Sequence, residues 1–246
     1  MAGTAVRGRL TWQLATVGRV TEETSRVRTI TFDQADWPEH RAGQHLDVRL
    51  TAEDGYQARR EYSIASAPGE PVAITVERLD DGEVSSYLTL DLRRGDELEI
   101  RGPIGGYFVW GPADGGPLLL VAGGSGIVPL RSMLRHRSRS GATVPARVLY
   151  SVRTRDDVIY AAELNEPGDG VEVVCTLTRE RPADWTGRTG RVDAAMLREV
   201  AWPAEMSPQA FICGPTSFVE AVAASLVAIG YEPGQVKTER FGATGS

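Results

Sequence analysis

The stretch Leu118-Leu119-Leu120-Val121-Ala122-Gly123-Gly124-Ser125-Gly126-Ile127 decides the fold of this chain. Its first five residues are apolar, which is typical of a strand buried on both faces, as in a parallel sheet. The glycines that follow allow a sharp turn because they carry no Cβ. Apolar residues then recur at helical spacing, at positions 127, 130, 133 and 134. A strand, a glycine turn and a helix can point N–H groups and the positive end of a helix dipole at a phosphate.

Glycines alone leave two interpretations of this stretch open. In the first, Gly123, Gly124, Ser125 and Gly126 form a pyrophosphate site for a dinucleotide. In the second, the same residues form a tight connection between a strand and a helix and bind nothing. The segments on either side of the stretch must decide between the two interpretations.

Length and composition narrow the class of protein. A chain of 246 residues has room for one large domain or two small ones. Apolar residues make up 41% of the chain and charged residues 24%, as in ordinary globular proteins. No apolar run suits a signal peptide or a membrane span, so we expect no membrane partner. Two cysteines far apart in sequence suggest a reduced, cytoplasmic setting. The net charge of −6 disfavours general binding to nucleic acid.

Metal chemistry finds little support in the sequence. Two cysteines, Cys175 and Cys213, are too few for a four-cysteine iron–sulfur cluster within the chain. The histidines, His40, His45 and His136, are scattered, so we expect no zinc site.

The first half of the chain shows the pattern of short strands. Alternating residues with β-branched side chains predict six of them, at 14–20, 27–32, 43–50, 56–64, 72–79 and 97–101. Six short strands with turns between them favour an antiparallel barrel. One helix is predicted at 84–90, begun by Ser85 or Ser86. Either hydroxyl would cap free N–H groups, and such an N-terminus can also hold a phosphate.

One segment of the predicted barrel has side chains suited to binding a ligand, namely Arg60-Glu61-Tyr62-Ser63. On a strand, Arg60 and Tyr62 share one face and Ser63 takes the other. An arginine for a phosphate, a ring for stacking and a hydroxyl for a polar ring edge are the groups that a flavin nucleotide needs. The alternative is an edge strand with a solvated arginine and a core tyrosine.

The polar segment Asp114-Gly115-Gly116-Pro117 separates the barrel pattern from a second pattern. We place a domain boundary there, with a barrel domain at 1–113 and an α/β domain at 114–246. Beyond the boundary, strands alternate with helices, which predicts a five-stranded parallel sheet covered by helices on both sides. The predicted strands are 118–122, 147–152, 171–178, 210–213 and 235–241, and the predicted helices are 127–136, 157–165, 194–200 and 218–229.

Ligands of such a sheet bind beyond the carboxyl ends of its strands. Ser151 and Arg153 stand at the end of the second predicted strand, and Thr178 and Arg179 stand at the end of the third. Hydroxyls beside arginines suit the 2′-phosphate of NADPH, because a phosphate favours paired arginines. The pattern therefore favours NADPH over NADH, although each arginine alone is also what a solvated surface shows.

The last two predicted strands end in chemically distinctive residues. Cys213-Gly214-Pro215 places a small thiol before a sharp turn, and Glu239-Arg240-Phe241 places a carboxylate and an aromatic ring at the same edge. The alternative account of Cys213 is a buried structural cysteine.

Taken in order, these motifs resemble the ferredoxin–NADP reductase family, whose members join a flavin barrel to a nucleotide-binding sheet. The resemblance covers residues 11 to 242 and rests on Arg60-x-Tyr62-Ser63, Gly82-x-x-Ser85, Gly123-Gly124-x-Gly126, Cys213-Gly214-Pro215 and Glu239-x-Phe241. It implies bound FAD, with FMN less frequent in relatives of this layout, and NADPH or NADH as the reductant.

The resemblance also implies roles for individual residues. Ser63, Cys213 and Glu239 would lie near the reacting rings and are the candidate catalytic residues. The implied flavin contacts are Arg60, Tyr62, Ser63, Val76, Gly82, Ser85 and Ser86. The implied contacts of NAD(P)H and its nicotinamide are Gly123, Gly124, Ser125, Gly126, Ser151, Arg153, Thr178, Arg179, Cys213, Gly214, Pro215 and Phe241.

The activity that the resemblance implies is that of a flavoprotein oxidoreductase. Such an enzyme passes hydride from NAD(P)H to FAD and then single electrons to a separate carrier, such as a ferredoxin or an oxygenase component. Two alternatives stay open, a free flavin or quinone reductase and a flavin-binding regulatory electron-transfer subunit. The basic residues Arg131, Arg135, His136, Arg137 and Arg139 could dock an acidic ferredoxin, or they could form an ordinary solvated helix face.

Overall fold

The barrel half of the molecule is a six-stranded antiparallel sheet. The computed structural model describes residues 10–34 and 36–242. The strands of this half are β1 (Gln13–Thr24), β2 (Val27–Asp33), β3 (His45–Thr51), β4 (Gln57–Ser63), β5 (Ala73–Glu77) and β6 (Glu97–Ile104). They lie in the order β4-β3-β6-β1-β2-β5. A bridge between Ile64 and Ile74 joins the two outer strands, which confirms the predicted barrel.

The interior of the barrel is filled from alternate positions of its strands, because successive side chains of a strand point to opposite faces. Ile30, Phe32, Leu46 and Ile100 are fully buried there. Burial of a side chain of this size contributes about 1.5–3 kcal/mol.

Helix α1 (Glu83–Ser86) packs on the barrel core through Val84 and continues as a wider π-type turn over Tyr87–Asp91. Gly82 precedes its first turn, so the prediction that a serine begins this helix is wrong. The Ser85 hydroxyl lies inside the helix, where it donates to the Gly82 carbonyl at 3.2 Å and accepts from the Leu79 N–H at 3.1 Å. A serine hydroxyl so close to the preceding loop bonds that loop instead of capping the helix.

The sheet half of the molecule, which follows the turn Pro112–Asp114, is a parallel sheet. Its strands are β7 (Leu118–Gly123), β8 (Ala146–Val152), β9 (Val171–Leu177), β10 (Arg188–Thr189), β11 (Gln209–Pro215) and β12 (Val236–Phe241). Their order is β10-β9-β8-β7-β11-β12, so the sheet has six strands and the prediction of five is wrong. The additional strand β10 is two exposed polar residues that pair with Thr176 and Leu177 through the backbone. So short a segment has no hydrophobic pattern.

The helices of the sheet half are α2 (Ile127–Arg139), α3 (Ala161–Asn165), α4 (Ala194–Val200) and α5 (Thr216–Ala228). Three of them lie close to their predicted positions. Helix α3 begins later than predicted because Tyr160, just before it, takes a left-handed conformation with φ of 60°. No helix among the described residues is both long and apolar enough to cross a membrane.

An apolar core runs from one half of the molecule into the other. Ala65 and Ala73 of the barrel half pack in the same cluster as Phe108 and Phe211, and the last two rings meet edge to face with centroids 5.3 Å apart. Lys237, the only lysine of the sequence, lies at this junction. Its ammonium donates to the Val109 carbonyl at 3.2 Å and stands 5.0 Å from the centre of the Phe211 ring. The boundary between residues 113 and 114 stays a prediction.

Candidate active site

The three candidate catalytic residues meet where the two halves of the molecule face each other. Ser63 is the last residue of β4, and its hydroxyl donates to the Glu239 carboxylate on β12 at 3.1 Å. Cys213 is the partner of Glu239 in the pairing of β11 with β12, and it is also the partner of Ala122 on β7. The order of the strands thus brings together residues that are 176 positions apart in sequence.

The environment of Glu239 changes its acidity. Burial raises the pKa of this carboxyl to about 7, against the opposing effect of the hydrogen bond from Ser63. At neutral pH, Glu239 is therefore divided between its protonated and ionised forms. Burial, reinforced by the charge of Glu239, also raises the pKa of the Cys213 thiol. Cys213 is a neutral thiol, which offers a small apolar surface and is a poor nucleophile.

The raised pKa of Glu239 predicts a pH dependence of stability. The pKa of Glu239 is 4.5 in the unfolded chain and about 7 in the folded protein, so the folded protein binds this proton more tightly. The contribution of Glu239 to the free energy of unfolding therefore falls as the pH rises from 4.5 to 7. In urea unfolding of the protein without FAD, we expect the wild type to lose stability across this range relative to Glu239→Gln. A difference between the two proteins that does not change with pH would contradict the assignment.

The glycine loop is shaped by close contacts with β11 and α5. A Cβ at Gly126 would lie 2.1 Å from the Cys213 carbonyl oxygen, and one at Gly214 would lie 2.8 Å from the Phe218 ring. Gly124 has φ of +56°, a conformation that glycine adopts at little cost, and the position of its missing Cβ is open. The loop leads into α2, whose N-terminus has no side-chain cap. This arrangement fits a pyrophosphate, which would take the place of the cap.

Arg60 fits the role of a phosphate ligand. Its side chain is exposed, and its guanidinium donates to the Arg59 carbonyl at 2.7 Å. No carboxylate of the described residues lies within 4.0 Å of it. The neighbouring Arg59, in contrast, is paired with Asp47 at 3.2 Å. Tyr62 packs against the barrel core, and burial raises the pKa of its phenol, so the ring is neutral. A free guanidinium and a neutral ring are available to a flavin nucleotide.

The other residues that the resemblance implies as flavin contacts lie around α1 and β5. A Cβ at Gly82 would lie 2.2 Å from the Ser85 hydroxyl oxygen and 2.9 Å from the Leu79 Cβ, so a side chain there would displace these neighbours. The Ser85 hydroxyl is bonded within the protein, and Ser86 is half-buried. Val76 points its side chain into the barrel core with 0% exposure, which leaves only its backbone for a ligand. Their contact with a flavin stays a prediction.

Two arginines stand free at the ends of β8 and β9. The Arg179 N–H donates to the Arg153 carbonyl at 2.9 Å, so the two backbones run side by side. Both side chains are exposed, and neither has a carboxylate within 4.0 Å among the described residues. Arg155, between them in sequence, is paired with Asp184 at 2.9 Å. Free, adjacent arginines suit a phosphate.

The two hydroxyl residues beside these arginines have different surroundings. Ser151 is buried and pairs with Gly123 across β7 and β8. The Thr178 hydroxyl donates to the Val152 carbonyl at 3.1 Å. Ser151 therefore lies directly beside the glycine loop, whereas Thr178 connects the ends of two strands.

Phe241 and Pro215 lie at the carboxyl edge of the sheet half. They are partners in the pairing of β11 with β12, and Phe241 is 38% exposed. Because Phe241 is two residues after Glu239 on one strand, both side chains take the same face. The structure thus places an accessible ring beside the carboxylate that contacts Ser63.

The predicted basic docking face on α2 is largely neutralised within the chain. Arg131 forms an ion pair with Glu163 at 2.8 Å. Glu70 forms ion pairs with Arg135 at 3.2 Å and with Arg139 at 3.6 Å. Arg137 is buried and donates to the Asp169 carbonyl at 3.0 Å. Charges that are paired in this way attract an acidic partner weakly, so the structure favours the interpretation of an ordinary helix face.

Sequence comparison agrees with the two halves of the structure. The model of the oxidoreductase FAD-binding domain matches residues 12–109, and the model of the oxidoreductase NAD-binding domain matches residues 120–224. Ferredoxin–NADP reductase B of Sorangium cellulosum is 38% identical over 207 residues, which are 80% of this chain and 83% of that protein.

A second relative is longer than this chain. The glycine betaine monooxygenase reductase subunit of Chromohalobacter salexigens is 36% identical over 237 residues, which cover 92% of this chain and 63% of that subunit. The fold has a counterpart in the FAD/NAD-binding domain of nitric oxide dioxygenase from Vibrio cholerae, with a TM-score of 0.84 and 24% identity. That match covers 93% of this chain and 98% of the solved one.

Proposed function

The chain belongs to the ferredoxin–NADP reductase family, and from this we propose that it passes hydride from NADPH to bound FAD and then single electrons to a separate acceptor protein. Its domains for FAD and NAD(P) are those of NAD(P)H-dependent flavoprotein oxidoreductases. The observation that carries the proposal is the contact of 3.1 Å between Ser63 of the flavin barrel and Glu239 of the nucleotide sheet.

The residues of the site fit this reaction. When bound, FAD supplies the two-electron and one-electron redox chemistry that no side chain offers. Arg60 would bind the phosphates of that cofactor, and the neutral Tyr62 ring would contact its ring system. The Ser63 hydroxyl orients the polar edge of the ring system, and Glu239 holds or releases a proton beside it near neutral pH. Gly124, whose missing Cβ faces open space, and the uncapped N-terminus of α2 would bind the pyrophosphate of the reductant.

The visible spectrum of the purified protein tests the proposal. We expect flavin absorption that bleaches when NADPH is added without oxygen, and bleaches more slowly with NADH. Faster bleaching with NADH would still support an NAD(P)H-dependent flavoprotein but would contradict the preference for NADPH. A colourless protein that does not take up added FAD would overturn the proposal.

The acceptor that we propose is a ferredoxin or an oxygenase component. Support comes from the names of relatives, which include the reductase component of propane 2-monooxygenase and the reductase component of naphthalene 1,2-dioxygenase/salicylate 5-hydroxylase systems. Steady-state turnover with an added [2Fe–2S] ferredoxin, compared with a soluble quinone at equal concentration, tests this proposal. Faster turnover with the quinone would favour a free quinone reductase.

The preference for NADPH depends in this proposal on Arg153 and Arg179. We expect the double variant Arg153→Ala/Arg179→Ala to lose on the order of 100-fold in kcat/KM for NADPH, because two charge-assisted hydrogen bonds to the 2′-phosphate disappear. The value for NADH changes by no more than about 2-fold, since that nucleotide has no such phosphate. Arg155→Ala is the matched control, because Arg155 is already paired with Asp184. Equal losses with both nucleotides would contradict the assignment.

A further inference from the structure

Building on the proposed function, we propose that Ser132 and Tyr160 are positioning residues that hold the nucleotide sheet on the flavin barrel at the distance that hydride transfer requires. Neither residue is among those that the motifs of the family assign. Each donates a hydrogen bond from the sheet half to the barrel half. Together we call them the clamp.

The first point of the clamp lies on α2. The Ser132 hydroxyl donates to the Ser66 carbonyl at 2.7 Å, with both residues buried. On the same helix, the Arg131 guanidinium donates to the Ala65 carbonyl at 3.2 Å. Ser66 is three residues after Ser63, and α2 starts directly after the glycine loop. These bonds therefore connect the backbone that follows Ser63 in sequence to the helix that follows the glycine loop.

The second point of the clamp lies just before α3. The Tyr160 hydroxyl donates to the Thr75 hydroxyl on β5 at 2.5 Å, and both residues are buried. The Thr75 hydroxyl stands 2.8 Å from that of Thr29, which donates to the Glu23 carboxylate at 2.6 Å. Because a hydroxyl has one proton to donate, Thr29, which donates to Glu23, accepts from Thr75, and Thr75 accepts from Tyr160. The bond from Tyr160 crosses the junction, and the bonds that continue it lie within the barrel half.

The backbone of Tyr160 supports the same inference. A left-handed conformation of a residue with a Cβ costs about 1–2 kcal/mol, and it persists only where the surroundings impose it. The surroundings here are the bond to Thr75 and the Arg131 guanidinium, which lies 4.2 Å from the centre of the Tyr160 ring. Arg131 thus links the two points of the clamp.

Directional bonds are needed at this junction because the apolar core between the halves does not fix their relative position. Hydrophobic burial is non-directional and is nearly unchanged by a small slip. Hydrogen bonds, in contrast, weaken steeply once their distance and angle depart from the optimum. A misplacement of about 1 Å can slow a reaction on the order of 100-fold. A slip of α2 along residues 65–66 would also separate Ser63 from Glu239.

The clamp is tested with the double variant Ser132→Ala/Tyr160→Phe. At saturating NADPH, we expect its FAD to be reduced on the order of 10-fold more slowly than that of the wild type, with the Kd for NADP⁺ changed by no more than about 2-fold. In the protein without FAD, amide hydrogen exchange of residues 64–73 and 236–241 becomes faster, since these segments flank the junction.

Ser138→Ala/Tyr231→Phe is the matched control and removes the same atoms. Ser138 is exposed on the same helix, and the Tyr231 hydroxyl donates at 2.8 Å to the Trp202 carbonyl within the sheet half. We expect the control to reduce FAD within about 2-fold of the wild-type rate, with unchanged exchange at the junction, because it removes no bond between the halves.

Two outcomes would overturn the inference. One is a clamp variant with wild-type rate and exchange. The other is a parallel loss of rate and NADP⁺ affinity in both double variants, which would indicate a merely structural role. If neither nucleotide reduces the wild type, the proposed function fails, and the exchange comparison still decides whether Ser132 and Tyr160 hold the two halves together.

Discussion

Removal of the Ser63 hydroxyl is expected to slow the reduction of FAD by NADPH on the order of 100-fold. The Ser63 hydroxyl, at the end of a strand of the flavin barrel, donates a hydrogen bond to the Glu239 carboxylate at 3.1 Å. A hydrogen bond to a charged group contributes about 1.5–3 kcal/mol, and the lost orientation of the ring edge adds to that. Anaerobic stopped-flow absorption of the Ser63→Ala variant measures this rate directly.

The control for this prediction is Ser63→Thr, which keeps a hydroxyl at the same position. We expect it to recover most of the lost rate. Because Ser63 and Glu239 are in contact, the double variant Ser63→Ala/Glu239→Ala is expected to be little slower than the slower single variant. A wild-type rate in Ser63→Ala would remove Ser63 from the reaction, and fully additive losses in the double variant would show that Ser63 and Glu239 act independently.

Substitution of Gly126 by alanine is expected to give the second large effect. The new Cβ would stand 2.1 Å from the carbonyl oxygen of Cys213 and 2.4 Å from its carbonyl carbon. Both are backbone atoms of β11, so the loop must move away from the sheet, which costs about 1–3 kcal/mol in the free energy of unfolding. That movement also displaces the N-terminus of α2, and we expect NADPH affinity to fall on the order of 10-fold or more.

Urea unfolding and NADP⁺ titration of Gly126→Ala measure the two effects separately. Gly111→Ala is the matched control, because Gly111 has φ of −144° and no atom lies within 4 Å of its missing Cβ. That variant should keep both its stability and its affinity for NADP⁺. If Gly126→Ala also kept both, the close approach of the loop to β11 would not be required.

Much of the fold follows from the pattern of residues along the chain. The apolar run of β7 and its glycines predict a buried parallel strand and a turn, and both are confirmed. Strand β10 escaped prediction because two exposed polar residues join a sheet only through their backbone. The start of α1 was predicted wrongly because a serine hydroxyl has several partners within reach, and the loop at Leu79 provides one of them.

The candidate site is predictable to the extent that its residues lie in motifs. Ser63, Cys213 and Glu239 occupy strand ends that the topology brings together. Ser132 and Tyr160 carried no signal, because their contacts depend on how the two halves face each other. The ion pairs of the α2 arginines also could not be predicted, because their partners Glu70 and Glu163 lie in distant segments of the chain.

Lys237 is the only lysine of the sequence, so a reagent that reacts with lysine side chains modifies one such side chain in this protein. A lysine-specific protease cuts this sequence at one point, after Lys237, and the cut detaches Glu239 and Phe241 from the chain that precedes them. Because Lys237 lies within β12 and its ammonium is bonded to the Val109 carbonyl, the peptide bond after it becomes accessible when this end of β12 opens locally. The rate of this single cut would therefore report how often β12 opens locally, without any label or engineered residue.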